Sequence, residues 1–168
     1  LKQSLARLEV ERHQKQQDRD KLQATRDGRL EKLKLLQEQA GKLEQELMQK
    51  REALAAKRTE AKAEEIGVGM SGQVGKGPNY HGIVREISLL SLAIDQVEAQ
   101  AKANATERAA VTNDIAQIET QLNEAAIGLA DIDNRLAIEN QQSKDATGDA
   151  NPASVIARLG EDKTLLAR

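Results

Sequence analysis

The fold class predicted from the sequence is all-α: a long antiparallel two-helix coiled-coil hairpin with a Gly-rich tip loop and a short C-terminal helix. Three observations carry that expectation. The chain of 168 residues has no Phe, Trp or Cys, and Tyr80 is its only aromatic residue, while 31% of its residues are charged. Aromatic side chains supply the largest buried areas in layered cores, whereas a mixture of Ala, Glu, Lys, Leu and Arg is the composition of long helices. Second, two stretches of similar length carry apolar residues at alternating steps of three and four. Third, six of the eleven glycines fall between Gly67 and Gly82, with Pro78 among them, so that helix is interrupted once.

The first arm is expected over residues 1–66. Leu1, Leu5 and Leu8 begin its stripe, and Leu33, Leu36, Ala40, Leu43, Leu47, Leu54 and Ala61 continue it in the same register. Between them the grid positions hold Arg12, Lys15, Arg19, Leu22, Arg26 and Arg29. Long cationic side chains cover apolar surface with their stems while their heads reach water. The middle of this arm is therefore expected to be looser or to use another face. Gly28 adds to that, since glycine costs about 1 kcal/mol in a helix interior relative to alanine.

The tip loop is placed at 67–78, and the second arm at 79–141. Ile83, Ile87, Leu90, Ile94, Val97 and Ala101 step by four and three. Past Asn104 and Arg108 the register resumes at Val111, Ile115, Ile118, Leu122, Ala125, Leu129, Ile132 and Leu136. A grid held over about eight heptads demands a left-handed supercoil with a partner helix. Folding at the glycines lays the arms antiparallel, with Ile66 near Ile83 and the Leu5–Leu8 end near Leu136 and Ile138. A parallel dimer with the arms as successive rods is the competing arrangement.

In the hairpin pairing Val111 to Leu136 faces roughly Arg12 to Leu36. Part of that stripe is expected to lack an apolar mate and to recruit a second hairpin or the C-terminal helix. Residues 142–151 read as a polar linker. Residues 152–168 then read as a short helix and tail, with Asn151 as N-cap, Pro152 in the first turn, Gly160 as the stop, and Val155, Ile156 and Leu159 as the apolar face.

Charge and composition exclude several classes. A formal net charge of −2 creates no field that draws in nucleic acid. Without cysteine there is neither a disulfide framework nor a thiolate metal site. No apolar run approaches the ~20 residues of a membrane span. The chain opens at Leu1 in mid-pattern, and is expected to be part of a longer protein.

The stretch Gly67-Val68-Gly69-Met70-Ser71-Gly72 satisfies the dinucleotide pattern G-x-G-x-x-G. That pattern works between a strand and a helix, where glycines admit a pyrophosphate to a helix N-terminus. Here a charged helix precedes it. The phosphate-loop pattern fails as well, because Gly69 is one residue too far from Gly75-Lys76 and Gly77 stands where Ser or Thr would bind magnesium. The stretch therefore reads as a turn that binds no nucleotide, its glycines serving positive φ. Val68, Met70, Val74 and Tyr80 either fold back over the helix ends or form a contact surface with Tyr80 as anchor. The candidate contact residues are Gly69, Met70, Gly72, Val74, Gly75, Lys76, Gly77, Pro78 and Tyr80.

No catalytic, metal or cofactor site is expected. His13 and His81 are the only histidines and are expected near opposite ends of the arms. The basic strip from Arg12 to Arg29 is interleaved with Asp18, Asp20 and Asp27 and has no aromatic residues for base stacking, so it reads as salt-bridged helix surface.

At Gly69, Gly72, Gly75, Gly77, Pro78 and Tyr80 the sequence resembles the linker G-x-x-G-x-x-G-x-G-P-x-Y of a bacterial membrane-protein family catalogued only as a domain of unknown function. In that family the linker joins two long helices that follow N-terminal membrane helices. The stretch "NPASVIARLG…LLAR" is similar to the segment before its last membrane helix. The resemblance implies a membrane-anchored protein of the bacterial cell envelope and brings no catalytic residues.

Three function classes are carried forward: a non-catalytic coiled-coil stalk or protein-interaction module, a coiled-coil arm of a larger ATPase or efflux-adaptor machine, and a remote nucleotide-binding domain. The expected partners are a protein or a second copy of the chain. No nucleic acid is expected, and membrane contact comes only through flanking segments.

Overall fold

A computed structural model describes residues 2–67 and 77–146. The described residues form two long helices that pack together, with no strand among them. Helix α1 spans Lys2–Gly67 and α2 spans Tyr80–Ala146, 66 and 67 residues respectively. The near-equality matters because a helix of this length is held by packing of its apolar stripe rather than by propensity.

The chain divides into two units. One takes Leu1–Gly28 and Ile115–Arg168, the other Arg29–Asp114; they are called the outer-residue unit and the middle-residue unit here, by position in the sequence. In the middle-residue unit both helices feed the core. Leu36, Leu43, Leu54 and Ala61 of α1 are buried, as are Ile83, Ile94, Val97 and Val111 of α2. Ion pairs show the direction: Lys57–Glu86 at 2.7 Å, Arg51–Glu98 at 2.9 Å and Lys32–Glu107 at 3.2 Å descend along α1 as they ascend along α2. All three are solvent-exposed, so they report register more than they contribute stability.

In the outer-residue unit the partition is uneven. Among the described residues of this unit, α1 supplies one buried apolar side chain, Leu8, whereas α2 supplies Ile115, Ile118, Leu129 and Ile132. Arg12 reaches across to Asp133 at 2.6 Å, and Lys15 lies over Gly128, where its ammonium is 3.2 Å from where a Cβ would stand.

Three expectations change here. The cationic middle of α1 keeps its face: Arg12, Lys15, Arg19, Arg26 and Arg29 are half-buried at the grid positions, and α1 runs through Gly28 without a break. The stems pack while the heads escape, which is how a long cation occupies a seam. The stripe expected to lack a mate is therefore covered within the chain. Ile132 is 1% exposed and Val111 3%. Finally, α2 passes the boundary set at Gln141 and ends at Ala146. Residues 142–146 hold neither glycine nor proline, and Glu139 and Ser143 stay half-buried on the same stripe. Polarity alone does not stop a helix whose seam continues. The short C-terminal helix over 152–168 lies outside the described residues.

Candidate functional site

Of the nine contact candidates, Gly77, Pro78 and Tyr80 are described; Gly69, Met70, Gly72, Val74, Gly75 and Lys76 lie outside the described residues. The three that are described belong to the entry of α2, which clasps the last turn of α1. The final carbonyls of a helix have no partner of their own. Here the Gly77 amide donates to the Glu64 carbonyl at 3.1 Å. Gly77 is buried, and a Cβ there would meet the Glu64 carboxylate and approach the Glu64 carbonyl to 3.3 Å. Close approach of backbone to backbone is the reason for glycine at this position.

Pro78 and Asn79 make the turn that follows. The Tyr80 amide bonds the Gly77 carbonyl at 3.1 Å, and the Ile83 amide bonds the Asn79 carbonyl at 3.0 Å. Asn79 thus occupies the N-cap position of α2, a place asparagine favours.

Tyr80 is half-buried, and its hydroxyl donates to Glu65 Oε1 at 3.1 Å. Its ring meets the His81 ring edge-on, with centroids 5.7 Å apart and planes at 81°. The hydrogen bond to Glu65, with a smaller contribution from desolvation, holds the phenol pKa above its ordinary value. Tyr80 therefore straps the two helices together. Glu64 and Glu65 carry no sequence signal for this role; Asn79, between proline and the first helical residue, does.

The other sequence candidates fall as follows. His81 abuts Tyr80, and His13 lines a groove with Glu9, Arg12, Gln16, Asp133 and Leu136. No group of three or more His, Cys, Asp or Glu side chains that could hold a metal occurs among the described residues. Of the basic strip, Arg12 pairs with Asp133 and Arg19 with Asp20, whereas the Nε atoms of Arg19 and Arg26 are buried without a hydrogen bond.

Two features escaped the heptad reading. "ISLLSLAI", 87–94, is apolar on more than its seam, leaving Leu89 60% and Leu92 56% exposed; Leu89 and Leu90 line a shallow groove with Ala93, Lys57 and Glu86. The doubled leucines were the available signal. Asn104, an interruption in the stripe, is buried and bonded at both ends of its amide.

No family model, no curated protein and no solved structure matches the chain.

Proposed function

We propose that the chain is a helical hairpin acting as a non-catalytic coiled-coil stalk and protein-interaction module of a membrane-anchored bacterial protein. The observation that carries this reading is the shared groove of Ser4, Leu8, Glu11, Ile138, Glu139 and Gln142. The beginning of α1 and the end of α2 lie side by side, as a stalk that leaves and re-enters one surface requires. The linker resemblance supplies the membrane and the envelope; no described helix is itself long and apolar enough to cross a bilayer. Exposed Leu89 and Leu92 favour contact with another protein, because clustered exposed leucines mark interaction surfaces.

Two measurements test the reading. The full-length gene product containing this chain partitions with the bacterial membrane and resists carbonate extraction; recovery in the soluble fraction rejects the anchor. Lys2→Cys and Asn140→Cys, coupled together to maleimide lipids on one vesicle, leave helix content and melting unchanged. Loss of helicity on double attachment, but not on single attachment, rejects the stalk geometry.

A further inference from the structure

We propose that Asn104 is a register pin: a buried amide that selects one pairing of α1 with α2 among the heptad-related alternatives their aliphatic stripes permit. The need for selection follows from the pattern. Val97, Asn104 and Val111 stand one heptad apart on α2, and Leu36 and Leu43 stand one heptad apart on α1. Sliding the helices by seven residues, about 10.5 Å, replaces one aliphatic layer with another of similar volume. The connection does not forbid this by length. Residues 68–76 number nine and reach up to about 30 Å when extended.

The amide is placed to discriminate. Asn104 is 4% exposed. Its Nδ2 donates to the Leu36 carbonyl at 3.0 Å and to Gln39 Oε1 at 3.2 Å, and its Oδ1 accepts from Arg108 Nε at 2.8 Å. Both ends of the amide are thus used, and one orientation satisfies them. Each register offers the amide a backbone carbonyl, so the choice rests on the side-chain partner: a heptad slip replaces Gln39 with Lys32, which cannot accept, or with Glu46, whose charge must be drawn to the seam at a desolvation cost. A lone polar residue in a coiled-coil seam is known to act in this selective way, at some cost in stability. Arg108 belongs to the same device, since it holds the acceptor end and fixes which way the amide points. Away from this layer, register is also held where Gly77 and Tyr80 clasp α1, so the test weakens that clasp by removing the Tyr80 hydroxyl.

The chain has no cysteine, so cysteine pairs read register directly. Lys32→Cys with Glu107→Cys replaces an existing ion pair and reports the native pairing. Lys32→Cys with Gln100→Cys, or with Asp114→Cys, reports the two heptad slips. Each pair is placed in the full chain with Asn104, with Asn104→Leu, and with Asn104→Leu plus Tyr80→Phe. The Asn104 chain cross-links only at 32–107. In the double variant a slipped cross-link rises at least tenfold, while helix content is retained and melting occurs at or above the Asn104 chain. Moving the amide, as Val97→Asn with Asn104→Leu and Tyr80→Phe, makes 32–100 the dominant cross-link. Native cross-links alone in all variants overturn the proposal. So does loss of helix content in Asn104→Leu, because the amide would then be supporting stability rather than choosing between pairings.

Discussion

The two units fill one heptad grid with different chemistry. In the middle-residue unit, Leu36, Leu43 and Leu54 answer Ile83, Ile94 and Val97 from the other helix, and the seam is interrupted by a single bonded polar layer. In the outer-residue unit, Ile115, Ile118, Leu129 and Ile132 are just as buried, yet apart from Leu8 the facing stripe offers mainly half-buried Arg12, Lys15, Arg19, Leu22 and Arg26. Burial of an aliphatic side chain therefore does not require an aliphatic mate. Three or four methylenes of an arginine or lysine exclude water nearly as well, provided the charged head reaches solvent. What differs is the cost. A cationic stem leaves polar atoms in the seam, and the unbonded Nε atoms of Arg19 and Arg26 are that cost made visible.

The largest expected effect tests whether the lopsided seam is as well packed as the symmetric one. Ile132→Ala removes the most buried side chain of the outer-residue unit and lowers stability by about 3 kcal/mol. Val97→Ala in the middle-residue unit lowers it by about 2 kcal/mol, the smaller side chain leaving the smaller hole. Chemical denaturation of both variants, with hydrogen exchange to localise the change, decides the matter. If Ile132→Ala costs less than half as much as Val97→Ala, the arginine stems are a poor wall.

The second experiment reverses the chemistry. Arg19→Leu and Arg26→Leu, each placing an aliphatic where a guanidinium stem lies, raise stability by about 1 kcal/mol each. Arg26→Ala lowers it, because the stem is lost and nothing replaces it. A leucine that destabilises would show that the cations are bound to something more than water.

Glycines at Gly28 and Gly41 supply one probe per unit. A Cβ at either meets nothing within 4 Å, so alanine there raises stability by up to about 1 kcal/mol through helix propensity alone. Equal gains by thermal melting indicate that both units unfold in one transition, whereas a gain from only one separates them.

The smallest effect concerns the clasp of the middle-residue unit. Hydrogen bonding to Glu65 raises the Tyr80 pKa in the folded state. A group whose folded pKa exceeds its unfolded value stabilises the fold fully below the unfolded pKa, near 10 for tyrosine, and loses that contribution as pH rises through the folded value. Lys57 shifts the same way, through hydrogen bonds to Glu86 and then Glu60. Both groups are only half-buried and reach solvent, so the loss is slight. As the only aromatic residue, Tyr80 is read without interference: its phenolate absorbance appears at higher pH in the folded chain than in urea. Coincident titrations would mean that the hydroxyl is not bonded in solution.

From the sequence alone came the helices, their nearly equal lengths, and the seam position by position. Every grid residue named from Ile83 to Leu136 is buried or half-buried. That was legible because a repeat of three and four is a property of the chain itself, written in side-chain volume at fixed intervals. The cations of α1 were legible as grid positions, but their consequence was not, since only a facing helix shows whether a stem or a charge meets it. The end of α2 was misplaced for a related reason: polar residues continue a helix when their neighbours still pack. Partners for hydrogen bonds were the least legible. Asn104 reads as a flaw in a stripe until Gln39 and the Leu36 carbonyl stand opposite, and Tyr80 reads as a free anchor until Glu65 does. Those pairings join residues 65, 68 and 15 positions apart; a local pattern records what each residue offers, and only the packed chain decides what accepts it.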